Sequence, residues 1–304
     1  MTEDKYNGVL AVAKRQGPTS HDIVATMRRI TNMRRIGHCG TLDPLATGVL
    51  ILCLGRFTRL SDWLSRGEKE YNTTLLLGAK SNTYDAQGEI TPLANVEPPS
   101  LGQIKCAVGP FTGTIEQVPP AFSAVKVNGV RSYKLARRNE AIALKARTVH
   151  ITTLEVLDYS YPRLTLRVVC SRGTYIRSLA EDLGQVLGCG AYVESLCRRR
   201  IGVFKLEDAL SLEQVERAVE QGQLERHFTP PQLALCNMEQ VVLQADGLQA
   251  FSHGNPVSSA AGGRKGVGDV CAVYDLEKNL YGMGKWEGGL LRPLKVLRSF
   301  GVSP

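Results

Sequence analysis

The sequence predicts an α+β protein that carries a smaller β-rich unit at its C-terminal end, and three observations lead there. Val49-Leu50-Ile51-Leu52-Cys53-Leu54 is uninterruptedly apolar between Gly48 and Gly55, the mark of a strand buried on both faces. Runs of strand length and amphipathic runs of helix length then mix without the regular alternation of a doubly wound sheet. After Thr229-Pro230-Pro231 the texture changes to short apolar runs broken by glycines.

In chain order, Gly8-Val9-Leu10-Ala11-Val12-Ala13-Lys14 reads as a short strand. Thr19-Ser20 caps a helix whose apolar positions Ile23, Val24, Met27 and Ile30 share one face, with Arg28 and Arg29 on the exposed side. After the buried strand comes Tyr71-Asn72-Thr73-Thr74-Leu75-Leu76-Leu77-Gly78, a strand opened by an aromatic residue. Ser100-Leu101-Gly102-Gln103 has capping-box spacing and begins another helix. Leu164, Leu166, Val168 and Cys170 alternate with Thr165 and Arg167, the period of a half-buried strand. Ser171-Arg172-Gly173-Thr174 turns that strand into a helix with Ile176, Leu179, Ala180, Leu183, Val186 and Leu187 as its apolar stripe. Arg177 lies in the first turn, off the stripe, where it can reach into a cleft. A helix begun by Ser211-Leu212-Glu213-Gln214 runs to about Gln221. Thr229-Pro230-Pro231 reads as a linker. Beyond it Val241-Val242-Leu243 and Cys271-Ala272-Val273-Tyr274 supply strands, and Gly262-Gly263, Gly282-Met283-Gly284 and Gly288-Gly289 supply turns, which predicts a compact barrel.

With 304 residues, 43% hydrophobic and 22% charged, the chain has the make-up of a soluble globular protein with room for more than one domain. No apolar run approaches the length of a bilayer span, which excludes a helical membrane protein. Met1-Thr2-Glu3-Asp4-Lys5 has two acids and no apolar core, so the protein is expected to remain in the cytoplasm. The eight cysteines form no Cys-x-x-Cys pair, and several lie in apolar runs, which favours buried thiols over a disulfide framework or a zinc site. The net charge of +8 is moderate, but its arrangement is informative. Arg28-Arg29, Arg34-Arg35 and Arg198-Arg199-Arg200 form clusters. Lys126, Arg131, Lys134, Arg137, Arg138, Lys145 and Arg147 lie between Pro119 and His150, opposed only by Glu140. Each cluster alone fits a solvated face; several in one chain favour a polyanionic partner, nucleic acid above all.

Gly37-His38-Cys39-Gly40-Thr41-Leu42-Asp43-Pro44-Leu45-Ala46-Thr47-Gly48-Val49-Leu50 carries most of the chemistry. A histidine and a carboxylate sit on a short loop at the mouth of the buried strand, a place that holds an acid well and solvates it poorly. Asp-Pro also forms turns, and capping its own turn accounts for Asp43 as well.

This segment closely resembles the catalytic motif of the TruB family of tRNA pseudouridine synthases, Gly-His-x-Gly-x-Leu-Asp-Pro-x-Ala-x-Gly. Three further segments match in order: Gly17-Pro18-Thr19-Ser20, Phe122-Ser123-Ala124-Val125-Lys126-Val127-Asn128-Gly129 and Cys170-Ser171-Arg172-Gly173-Thr174-Tyr175-Ile176-Arg177. Together they span residues 8–202. One departure is Arg15, which follows Lys14 where the family usually has proline. The resemblance implies the pseudouridine synthase fold, a mixed and mainly antiparallel central sheet flanked by helices. It further implies a catalytic domain over 1–232, with 119–150 as a basic RNA clamp, and a PUA-like β-barrel RNA-binding domain over 233–304.

The implied reaction breaks the N1–C1′ bond of a uridine, turns the base and rejoins it through C5, here in the T-loop of tRNA at position 55. It changes no oxidation state and moves no phosphate, so no cofactor or metal is expected. The resemblance assigns the reacting carboxylate to Asp43, an ion that suits attack or proton removal at the sugar. Arg177 is its implied partner, keeping a buried acid charged and fixing it through a bidentate fork. A flipped base needs a flat surface to stack on, and Tyr71 matches the family's active-site tyrosine; a strand-opening core aromatic would look the same. His38 is implied to hold the RNA, and Asp85, in a turn-forming stretch, to orient the arginine. Tyr175 and Leu196 are implied pocket walls. Lys126 and Arg131 begin a clamp on RNA phosphates, which gives affinity with little sequence choice.

Length and the absence of extensions fit a stand-alone tRNA enzyme, a monomer with no obligate protein partner, better than a guide-RNA-dependent relative. Two other readings compete with it. One is an RNA-binding or RNA-folding protein whose catalysis is secondary, and the other is a synthase acting on a different RNA site. A hydrolase with Cys39 as nucleophile is a third, disfavoured because adjacent residues such as His38 and Cys39 rarely aim their side chains at each other.

Overall fold

The structure, a computed structural model, describes residues 4–127, 129–136, 138, 143–258 and 270–297. Strand β1 (Gly8–Lys14), helix α1 (Ser20–Thr31), strands β2 (Ile36–Cys39) and β3 (Thr47–Leu54), helix α2 (Ser61–Leu64) and strand β4 (Lys69–Leu77) come first. A hairpin of β5 (Ala79–Ser81) and β6 (Ile90–Pro92), helix α3 (Leu101–Val108), strand β7 (Gly113–Gln117), a hairpin of β8 (Lys126–Val127) and β9 (Val130–Arg131), and helix α4 (Ser132–Ala136) follow. Then come β10 (Arg147–Ser160), β11 (Arg163–Cys170), α5 (Ile176–Val186), β12 (Ala191–Ile201), β13 (Phe204–Lys205) and α6 (Leu212–Glu220). The C-terminal part holds α7 (Pro231–Ala234), β14 (Glu239–Val242), α8 (Ala245–Ser252), β15 (Val257–Ser258), β16 (Val270–Tyr274), β17 (Leu280–Glu287) and β18 (Leu290–Val296).

The central sheet runs β1-β3-β12-β4-β11-β10-β7, with β2 on β3 and β13 on β12. β3 and β12 pair in parallel and the other neighbours antiparallel, the mixed and mainly antiparallel sheet expected. Capping explains where three of its helices, α1, α3 and α6, begin. Thr19, Ser100 and Ser211 each accept from the backbone three residues on, and Asp22, Gln103 and Gln214 return the bond. β3 is the axis of the core, with Val49 to Leu54 all at 0% exposure. One face of the sheet packs Leu75, Leu164, Leu166 and Val168 against Ile176, Leu179 and Leu183 of α5. Burying each such side chain contributes roughly 1.5–3 kcal/mol, which fixes the start of α5 and hence Arg177 on the sheet. Of the predicted stripe only Val186, 62% exposed, falls away from the sheet, while Leu187 after it still packs against the core.

The C-terminal strands form a second sheet, β14-β16-β17-β18-β15, curled into a half-barrel. Two of its features differ from the sequence reading. Helix α8 interrupts the β texture, burying Leu248 and Phe251. Gly282 and Gly284 are no turn: both lie inside β17, where a Cβ would meet the Lys295 carbonyl oxygen and the side chains of Leu291 and Phe251. The glycines are small so that α8 can sit on the strand. Gly288-Gly289 does turn β17 into β18, with φ of 59° and 79°. The stretch read as a linker is tied down, since the Thr229 amide donates to Val9 O at 2.9 Å and α7 follows at once. Leu235, Tyr274 and Met283 share one apolar cluster with Val9, Ile51 and Ile201. Gly262-Gly263, Asn128, Arg137 and Glu140 lie outside the described residues. Among the described residues no helix is long and apolar enough to cross a membrane.

Candidate active site

Residues 40–46 form the loop between β2 and β3, and neighbouring segments hold it at almost every step. The Leu42 amide donates to Ser20 Oγ at 2.8 Å, and the Gly17 amide to Pro44 O at 2.9 Å. Gly17 to Ser20 is therefore a brace for the loop as well as a helix cap. Lys14, 2% exposed, donates through Nζ to Ala46 O at 2.6 Å and to Pro44 O at 3.3 Å. Burial takes its ammonium down to about 8, with the Asp43 charge opposing. At the loop's far end Gly48, at φ +112°, crosses β12 so closely that a Cβ would lie 2.2 Å from Arg198 O. No other residue fits there.

The loop presents Asp43 to Arg177. Arg177 Nε lies 2.9 Å from Asp43 Oδ2 and 3.7 Å from Asp85 Oδ2. The expected bidentate fork is absent, because the other nitrogens are taken: Nη1 donates to Thr83 O at 3.2 Å and Nη2 to Phe122 O at 3.0 Å. Four residues from three segments thus fix one guanidinium, whose side chain is 7% exposed. Asp43 itself keeps 37% side-chain exposure, so the loop holds the acid well but leaves it more solvated than its position in the sequence implies. Asp85 does two jobs. Its Oδ1 accepts from Thr83 Oγ1 at 2.7 Å and from the Gln87 amide at 3.0 Å, which forms the turn, while Oδ2 faces the arginine.

Beside the ion pair opens a cavity of about 270 Å³ lined by Thr41, Leu42, Asp43, Lys69, Tyr71, Ser123, Tyr175, Arg177, Leu196 and Arg198 among others. Tyr71, Tyr175 and Leu196, drawn from β4, the cap of α5 and β12, thus lie around one cavity with Asp43 and Arg177. Burial raises the Tyr71 phenol above its ordinary value, and the Arg198 charge opposes that rise. A ring beside a carboxylate–guanidinium pair can receive a planar heterocycle on its face, with the anion at the edge.

Three cations of the site went unread in the sequence. Arg198 looked like part of a solvated Arg198-Arg199-Arg200 run, yet it is 1% exposed and Arg200 pairs with Glu70 at 3.3 Å. Only the period-two pattern of β12, with Leu196 and Arg198 on one face, signals it. Lys69, 8% exposed, is brought down to about 8 by burial and donates to Ser65 O and Gly67 O at 2.9 and 3.1 Å. Lys14 is the third.

His38, Lys126 and Arg131 are not cavity residues. His38, on β2, faces His21 of α1 with Nε2 3.3 Å from its Nδ1, and burial lowers its pKa. Lys126 and Arg131 pair across the β8–β9 hairpin, both exposed. The hairpin's base is anchored at the cavity, since the Tyr133 amide donates to Ser123 O at 3.1 Å. Cys39 leaves the chemistry: it is 1% exposed and its Sγ faces Cys53 Sγ at 3.3 Å, a thiol that burial and this contact push up. All eight cysteines are free, Cys106 and Cys236 being exposed. No cluster of metal-ligating side chains occurs among the described residues.

The sequence profile of the TruB family pseudouridylate synthase N-terminal domain matches residues 28–176, and that of the tRNA pseudouridylate synthase B C-terminal domain matches 177–242. The junction falls inside α5, so the two profiles divide one central sheet. The chain is 42% identical to tRNA pseudouridine synthase B of Opitutus terrae over 226 residues, 74% of this chain and 93% of the relative. It is 38% identical to the enzymes of that name from Pseudomonas aeruginosa, over 96% of both chains, and from Nostoc, over 95% of this chain and 98% of the relative. Among solved structures, a chain of an archaeal box H/ACA sRNP Nop10–Cbf5 complex superposes with a TM-score of 0.76 at 25% identity, covering 97% of this chain and 87% of that one. A chain of a Cbf5–Nop10–Gar1 complex gives 0.77 at 28% identity, covering 96% and 85%.

Proposed function

The chain belongs to the TruB family of pseudouridylate synthases, and from that premise we propose that it isomerises the T-loop uridine of tRNA, position 55, with Asp43 as the reacting carboxylate. The observation that carries the reading is the 2.9 Å contact of Arg177 Nε with Asp43 Oδ2 at the wall of the cavity that Tyr71 and Leu196 bound. The target uridine leaves its stack, enters the cavity and lies on the Tyr71 ring. The Asp43 carboxylate, held by Arg177, acts as nucleophile at C1′, forming an ester as the N1–C1′ bond breaks, or as base, taking the C2′ proton as that bond breaks. The freed base turns and C5 bonds to C1′ as the ester bond to Asp43 breaks, or as the C2′ proton returns. C5 then gives up its proton with the Tyr71 hydroxyl assisting, and N1 takes one up, so no net proton is gained or lost.

Around this centre Asp85 orients Arg177, Tyr175 and Leu196 shape the pocket, and His38 holds the opened T-loop. Lys126 and Arg131 grip phosphates on the T-arm. Residues 1–232 act as the catalytic domain and 233–304 as a PUA-like RNA-binding domain, in a cytoplasmic monomer. The test is to incubate the purified protein with unmodified tRNA and map the product. Pseudouridine at the T-loop position is expected, and its absence there, with pseudouridine elsewhere or nowhere, overturns the substrate assignment.

A further inference from the structure

We infer that Arg198 is a positioning residue of the isomerisation, one guanidinium that sets the Asp43 loop in register with Tyr71 of β4. The inference rests on the reading of Asp43 and Tyr71 as the reacting groups.

Arg198 stands where three strands meet. In β12 it pairs with Tyr71 of β4 on one side and with Gly48 of β3 on the other. Its side chain then turns into the loop that carries Asp43. Nε donates to Val49 O at 2.9 Å, Nη2 to Gly40 O at 2.9 Å and Nη1 to Thr41 O at 3.4 Å. The loop is thus held at its first residues and at the strand that follows it by one rigid, planar group. The same guanidinium carries its positive charge beside Tyr71, its strand partner, and beside Asp43, and all three line one cavity.

A merely structural filler would be apolar here. A buried guanidinium is costly unless its donors are met, and an aliphatic chain of similar volume would pack without that cost. What the guanidinium adds is direction. Its donors leave a plane at fixed angles, so holding Gly40, Thr41 and Val49 from a strand residue paired with Tyr71 sets the Asp43 loop at a fixed place against β4. Lysine has the charge and lacks the fork. At 1% exposure Arg198 lies at the cavity wall with almost no surface to offer RNA phosphates, so its effect belongs to the chemical step.

The test measures single-turnover pseudouridine formation at saturating tRNA, tRNA affinity, and the folded fraction of Arg198→Lys and Arg198→Met, with Asp43→Asn as reference. Arg198→Lys is expected to slow the step about 10²-fold per folded molecule, the scale of a misplaced reacting group, with affinity within about twofold of the unaltered chain. Arg198→Met is expected to slow it further. A near-normal rate in folded Arg198→Lys, alongside an inactive Asp43→Asn, overturns the inference and leaves the catalytic reading standing. So does a loss that appears only as weaker tRNA binding, or one that vanishes when rates are divided by the folded fraction. If Arg198→Met does not fold, Arg198→Lys decides. An active Asp43→Asn removes the reading beneath the inference, and the inference with it.

Discussion

The loop at 40–46 and the β8–β9 hairpin are both short, both sit beside the same cavity, and are held in opposite ways. The loop is braced by Ser20, Gly17, Lys14 and Arg198, the last two buried cations bonded to its carbonyls. The hairpin is anchored at Ser123 and Val125 and carries Lys126 and Arg131 outward into solvent. Cations serve both regions, bracing the loop from outside and standing on the hairpin itself, yet the charge does different work. Buried, it fixes geometry at a reacting centre, where a displacement of an ångström matters. Exposed, it offers a long-range attraction that tolerates movement and weakens with salt. Substitutions in the loop should therefore change rate or fold, and substitutions in the hairpin should change affinity alone.

The largest effect expected is that of Asp43→Asn, which keeps the shape of the side chain and removes its charge. Pseudouridine formation should fall by roughly 10⁴-fold or more, as when one member of a catalytic constellation is removed. Binding to unmodified tRNA should persist within a few-fold. Both quantities are read on the same preparation, by product mapping and filter retention. A comparable loss of binding would erase the distinction between the two regions. Next comes Gly48→Ala. A Cβ 2.2 Å from the Arg198 carbonyl oxygen, at φ +112°, combines a backbone clash with a conformation that alanine resists. The fold should lose about 3–5 kcal/mol, measured by denaturant titration. Arg177→Lys should fold normally and slow the reaction about 10²-fold, because one ammonium cannot meet Asp43, Thr83 and Phe122 together.

The unequal legibility of the two regions has the same physical root. Periodicity and capping made β1, β3, α1, α3, β11, α5 and α6 readable, since each depends on residues within a turn or a strand pair. Asp43, Tyr71 and Arg177 were readable because the resemblance named them, and the cavity they share could not have been drawn from their spacing. Arg198 escaped because charge in sequence suggests solvent, and only the tertiary pairing of β12 with β3 and β4 puts it inside. Helix α8 escaped because Gly247 breaks its pattern, and because its partner surface, Gly282 and Gly284, resembles a turn until Phe251 is placed against it. Local signals were legible where the cause was local.

For the hairpin, Lys126→Ala with Arg131→Ala should weaken tRNA binding about tenfold at low salt. The slope of log affinity against log salt should become shallower by about 1–2. The rate at saturating tRNA should remain close to that of the unaltered chain. A fall in that rate would mean that the hairpin also closes the cavity, and would bring the two regions together.

The smallest effect separates buried from exposed charge through pH. Lys14 is brought from 10.5 to about 8 chiefly by burial, so the folded chain releases this proton before the unfolded chain does. Below about pH 8 both states hold it and the penalty of a buried ammonium is fully present. Between about 8 and 10.5 the unfolded state binds more protons, so this group's contribution to stability rises with pH. Lys14→Met has nothing to titrate at that position. The stability of the unaltered chain minus that of Lys14→Met should therefore increase from pH 7.5 to pH 10 in paired denaturant titrations. Lys69 also sits at about 8, but it is present in both proteins and cancels in the difference. The same subtraction with Arg131→Ala should stay flat over this range, because removing an exposed side chain leaves no burial penalty to relieve. A flat line for Lys14 as well would mean that water reaches its ammonium, and that the loop is held by ordinary hydrogen bonds with no buried charge beneath it.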